Sequence, residues 1–196
     1  MSTKAKKTKD SKLSYAQWLR QSAIRVARVH FVLIGVYVAT VIAYDAFNLI
    51  TEDALLARWT MASILLVASA IFWYLTRIDG KASGYYGWII YGFIMLDMAL
   101  ASFSVYTQRG MASKSVFLYV IPIVIAALLL RRAALYMVAT ISVAAYSLTA
   151  IWYSVNNPSE GYKIELYGEV GFYSALLFVV AALLWGVIRS KNSDSN

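Results

Sequence analysis

The sequence predicts an all-α, polytopic membrane protein: a bundle of six transmembrane helices preceded by an amphipathic juxtamembrane helix. Three observations predict it. Of 196 residues, 61% are hydrophobic and only 14% charged, against roughly 45–50% and about 25% in soluble domains. A soluble fold of this size cannot bury that much apolar surface. The apolar residues fall into six stretches, each close to the roughly 20 residues that cross a bilayer at about 1.5 Å per residue. The basic residues between those stretches alternate in density from loop to loop. Two prolines and ten glycines favour helices over turn-rich β-structure. The stretches are apolar all round, unlike the alternating strands of a membrane barrel.

Residues 1–29 form a basic cytoplasmic tail and interfacial helix. A Lys-rich run (Lys4, Lys6, Lys7, Lys9, Lys12) precedes Ser14-x-x-Gln17, which reads as a capping box. Leu13, Trp18, Leu19, Ile24 and Val26 then interleave with Arg20, Arg25 and Arg28. This pattern predicts a helix lying along the interface before the chain turns into the bilayer. It is too long and too polar for the start of a cleavable signal peptide. The transmembrane domain covers 30–190, with spans near 30–50, 55–75, 85–106, 115–130, 134–155 and 168–188. The fourth is short and contains Pro122, which bends it. The segment 156–167 is the longest loop between spans, and 191–196 is a short cytoplasmic tail.

The charges orient the chain. With the N-terminus inside, only Arg58, Arg109, Lys114 and Lys163 lie outside, and the other fourteen of the eighteen basic residues lie inside. This positive-inside asymmetry predicts a multi-pass inner-membrane protein with both termini cytoplasmic. It also accounts for the net charge of +8 as topogenesis plus attraction of the N-terminal segment to anionic lipid, not nucleic-acid binding. Zero cysteines remove disulfides, thiolate metal sites and iron–sulfur clusters. One histidine, His30, removes a two-histidine haem or metal site, and is expected at the cytoplasmic edge. No cofactor and no metal are predicted.

Two acids lie at membrane depth, where a carboxylate costs about 2.5–3.5 kcal/mol. Asp45 is expected to pair with Arg58, which enters the second span from the same side. Asp97 has no basic neighbour in sequence. Together with Tyr119, Tyr146 and Ser147 it makes a candidate ligand pocket; interhelical hydrogen bonding without a ligand is the plainer alternative. Tyr44-Asp45 copies half of the intramembrane aspartyl-protease signature, but Ile94-Met95-Leu96 stand where the second half needs a glycine-rich lead into Asp97. No acid–base–nucleophile set assembles, so no enzymatic activity is predicted. Gly35, Ala39 and Ala43 form a small-residue stripe on the first span, free for a membrane-protein partner or a second copy if Asp45 faces the core.

Ser115–Leu148 reads as an aromatic-apolar run, Pro122, a small-residue apolar stretch, the basic turn Arg131-Arg132 and a small-residue helix. This segment resembles the fourth and fifth spans of the six-helix N-terminal sensor domains of prokaryotic histidine kinases. The resemblance covers under a fifth of the chain and lacks the kinase part. It implies a free-standing sensor or scaffold signalling through a partner protein. Gly35-x-x-x-Ala39-x-x-x-Ala43 is similar to the docking stripe of substrate-binding subunits of vitamin-type transporters, which implies the alternative of a small-molecule transport subunit. A structural subunit of a membrane complex is the third alternative.

Overall fold

A computed structural model describes residues 2–79, 81–110, 113–158 and 164–193, with side chains described from 15 to 158 and from 167 to 190 within those ranges. The described residues are helical without strands: α1 (Ser2–Ala46), α2 (Glu52–Thr76), α3 (Ser83–Thr107), a 3-10 helix (Lys114–Tyr119), α4 (Val120–Ala127), α5 (Arg132–Asn156) and α6 (Ile164–Ser193). Five of the helices are long and apolar enough to cross a membrane, and Lys114–Ala127 is a shorter apolar segment. The chain divides into two compact units, Met1–Phe93 and Ile94–Asn196, with α3 contributing to both.

In the first unit the expected break between an interfacial helix and a first span does not occur. α1 runs unbroken from Ser2, because nothing between Leu13 and Ile34 is a proline or glycine. Ser14 is therefore inside the helix and does not cap it. Leu19, Ala23, Val26, Ala27, His30 and Ile34 are buried. At these spacings they form one continuous helical face. The apolar side of 19–27 is thus covered by protein instead of lying free on lipid, while Arg25 and Arg28 stay exposed.

α1 ends at Ala46, short of the expected residue 50, for a local reason. Asn48 adopts the left-handed region at φ 51°. Its N–H donates to Asp45 O, and the Leu49 N–H donates to Tyr44 O. This is a Schellman termination with asparagine in glycine's usual place. Three residues later the Thr51 hydroxyl accepts from the Ala54 N–H, and Glu52 and Asp53 occupy the first turn of α2, where carboxylates suit the helix dipole. The two helices run back along each other. Phe31 meets Trp73 edge-on at 6.0 Å, and Arg20 reaches Asp79 at 2.5 Å and the Thr76 carbonyl at the far end. Tyr85 and Tyr86 donate to the Leu75 and Ile78 carbonyls and so seat the start of α3. Further along, Phe72 packs on Phe93 over Gly92, where an added Cβ would lie 2.5 Å from the Phe72 ring.

In the second unit Pro122 explains the split of the fourth expected span. It has no N–H and its ring clashes with the carbonyl four residues back. The α ladder accordingly starts only at Val120, and the residues before it wind as 3-10 helix. A 3-10 rise of about 2.0 Å per residue stretches this segment to roughly 24 Å. Leu130 then turns the chain at φ 53° into α5. The buried positions of α5 (Ala134, Leu135, Val138, Ala139, Ser142, Tyr146, Ala150, Ser154) form a stripe packed against α4 and α6.

Outside these packed faces large apolar side chains are exposed: Val32 and Val36 on α1, Ile64, Val67 and Ile71 on α2, Phe172, Val179, Leu183 and Val187 on α6. Apolar faces this extensive are untenable in water and suit a helical membrane bundle. The 156–167 loop lies partly outside the described residues, as do 194–196 of the expected C-terminal tail. The described side chains also exclude the Lys-rich run.

Candidate functional site

Asp97 lies near the middle of α3 and is 2% exposed. It belongs to the buried face of α3 formed by Ile90, Phe93, Ile94, Ala101 and Ser104, so the carboxyl is held inside protein, not against lipid. Tyr119 and Tyr146 are brought together. Both are fully buried, and their rings meet edge to face at 6.1 Å. The Tyr119 hydroxyl shares a 2.7 Å hydrogen bond with Ser102, which ties the 3-10 helix to α3. Tyr146 meets Tyr173 of α6 edge-on at 6.3 Å, and Tyr173 in turn meets Phe117 at 5.8 Å. The result is an aromatic cluster drawn from three helical segments and tied to α3 through the Ser102 hydroxyl.

Ser147 is not on the buried stripe; it is half-buried, because it follows Tyr146 by one residue and about 100° of helix. The hydroxyl that shares the Tyr146 face is Ser142, one turn earlier and fully buried. Sequence reasoning missed Ser142, Ser102 and Tyr173. For Ser142 the signal was present: residues 134, 138, 142, 146, 150 and 154 repeat at four-residue spacing. Ser102 and Tyr173 had no comparable signal, since their roles depend on which helices meet.

The expected Asp45–Arg58 ion pair is not formed. Asp45 is exposed, and among the described residues the ion pair is Arg20–Asp79. Arg58 is 8% exposed and places its guanidinium 4.8 Å from the Tyr44 ring centre, a cation–π contact. Tyr44 and Asp45 point about 100° apart on one helix, so an arginine seated on the first turns away from the second. His30, expected at the cytoplasmic edge, is covered by protein. It is 1% exposed, with its ring 5.2 Å from Phe93. Gly35 and Ala39 are exposed and Ala43 half-buried, and nothing lies within 4 Å of a Cβ built on Gly35. The stripe faces outward on α1, although Asp45 does not face the core.

Among the described residues no group of three or more His, Cys, Asp or Glu side chains could hold a metal ion. What the second unit offers chemically at this cluster is hydrogen bonding: one buried carboxyl, two buried phenols, the buried Ser142 hydroxyl and the half-buried Ser102 hydroxyl. Compared with known protein families, curated proteins and solved structures, the chain matches none.

Proposed function

We propose that this chain is a six-span inner-membrane sensor or scaffold subunit, with both termini cytoplasmic, that acts through a partner protein. The observation that carries the reading is Asp97: a carboxyl 2% exposed in the middle of an apolar helix is costly to insert and is a functional position by default. The same unit supplies buried Tyr119, Tyr146 and Ser142 and half-buried Ser102, a polar interior of the kind that orients a small ligand. The outward stripe Gly35 and Ala39 suits close approach of a partner helix, and the resemblance of Ser115–Leu148 to histidine-kinase sensor domains implies that a partner protein carries the signal. The basic residues Arg25, Arg28, Arg77 and Arg132 contact anionic headgroups on the cytoplasmic side.

The test joins the two ends of this reading. A photo-crosslinking residue at Ala39 is expected to capture a partner in native membranes. Asp97→Asn is expected to leave thermal melting within about 1 kcal/mol of the parent, since shape and most hydrogen bonding are kept, yet to change the cross-link yield severalfold. An unchanged yield at unchanged stability removes the sensing role. Loss of both stability and expression makes Asp97 a structural hub. The same open stripe suits a vitamin-type transport subunit, and capture of transporter ATPase subunits would select that alternative. Topology is checked separately with single cysteines at Ser83, Asn156 and Ser190. Impermeant thiol reagent on intact cells is expected to label only position 156, and labelling of 83 or 190 overturns the six-span arrangement.

A further inference from the structure

Hydroxyls inside the helices of this protein follow a common habit. Ser69, Thr140 and Ser154 each donate to the carbonyl four residues back, as do Thr40, Thr60 and Ser63. This is the default for a serine or threonine on a helix with no other polar partner. Ser142 departs from it. Its Oγ is fully buried and has no hydrogen-bond partner among the described residues, not even the Val138 carbonyl. One turn on, the Tyr146 Oη is likewise buried without a partner.

The two orphans are related. They lie about 40° apart on one face of α5, flanked by buried Val138, Ala139 and Ala150. Neither reaches solvent, and they do not bond to each other. Buried hydroxyls are seldom left so, and the default repair is a bound molecule that both donates and accepts. Apolar flanks make that molecule neutral. The Tyr106–Tyr153 ring contact at 5.7 Å brings the C-terminal ends of α3 and α5 together.

We propose that Ser142 and Tyr146 form a buried site for one neutral hydrogen-bonding group, either an ordered water or the hydroxyl of a small ligand that displaces it. The site extends the reading of the second unit given above but stands on the two hydroxyls, not on Asp97.

The test is a double-mutant cycle on the full chain in nanodiscs. A shared guest makes Ser142→Ala and Tyr146→Phe each lower the melting temperature, by about 3 °C, because the guest loses a partner. The double variant then loses less than the sum, since the guest can be lost only once. If the hydroxyls are truly empty, removing either relieves an unsatisfied group and raises the melting temperature; that result, or strict additivity, overturns the site. Radiolytic hydroxyl labelling of the unmodified chain gives a second readout. A water at the site makes buried Tyr146 oxidise rapidly. Native mass spectrometry of the same sample separates the sources, a bare chain mass indicating water and a retained adduct a small ligand. A bare chain whose Tyr146 resists oxidation overturns the proposal. A failed cycle with an Asp97→Asn effect intact removes this site alone, and the converse removes only the sensing role.

Discussion

The two units place their polar groups differently. In the first, Arg20 grips Asp79 and the Thr76 carbonyl at one end of the α1–α2 pair, and Arg58 rests on Tyr44 near the other. Between them Ile34 and Leu65 are buried, Phe31 meets Trp73 and Phe72 meets Phe93 over Gly92, and the polar groups buried there, Ser22, His30 and Ser69, are few and scattered. In the second unit hydroxyls gather on buried aromatic rings, Ser102 on Tyr119 and Tyr119 on Tyr146, and Ser142, Tyr146 and Asp97 are all buried. Polar groups at helix ends can meet water and headgroups and cost little. The same groups in mid-span must find internal partners. On the reading proposed above, the first unit acts as an anchor and the second as the place where a ligand or water has something to bond.

Three substitutions sharpen this contrast. The largest effect is expected at Gly92→Ala. The new methyl meets the Phe72 ring, which Phe93 holds in place, and overpacking of this kind costs about 1–3 kcal/mol. Gly84→Ala, where the added Cβ meets nothing within 4 Å, serves as the control and is expected to be neutral or stabilising. Equal melting of the two variants would mean that the anchor is not tightly packed. Next comes Tyr119→Phe, which keeps the ring contact with Tyr146 and removes the hydroxyl that bonds Ser102 and also interacts with Thr149. A loss of about 1 kcal/mol is expected, and more than from Tyr37→Phe, whose hydroxyl reaches the Arg58 carbonyl only at 3.5 Å. The reverse order in an unfolding titration would contradict the division into polar interior and apolar anchor. Smallest is Arg20→Ala. The partner Asp79 is largely exposed, so the loss is about 0.2–1 kcal/mol and fades as salt rises. A larger loss that ignored salt would show that this contact holds the unit together.

The helices were legible because their signals are local. Apolar length and the absence of interior proline set α2, α3 and α5 to within about three residues of expectation. Pro122 marked the apolar segment Lys114–Ala127, which winds differently from the long helices. The end of α1 was also local but was overlooked, since asparagine stands in the left-handed position where glycine is usual. The pairing of Tyr119 with Tyr146 was anticipated from their depth alone.

What the sequence by itself determined is the set of apolar helices and the charge asymmetry between their ends, because hydropathy and loop charge add up residue by residue. The tertiary structure alone decided which face of each helix is covered. That choice moved Arg58 from Asp45 to Tyr44, buried His30 against Phe93, exchanged Ser147 for Ser142, and brought Ser102 and Tyr173 to the aromatic cluster. On a helix that is apolar all round no stripe of hydropathy marks the packed side. Its orientation is set by shape and hydrogen bonding with neighbours that a linear sequence does not name.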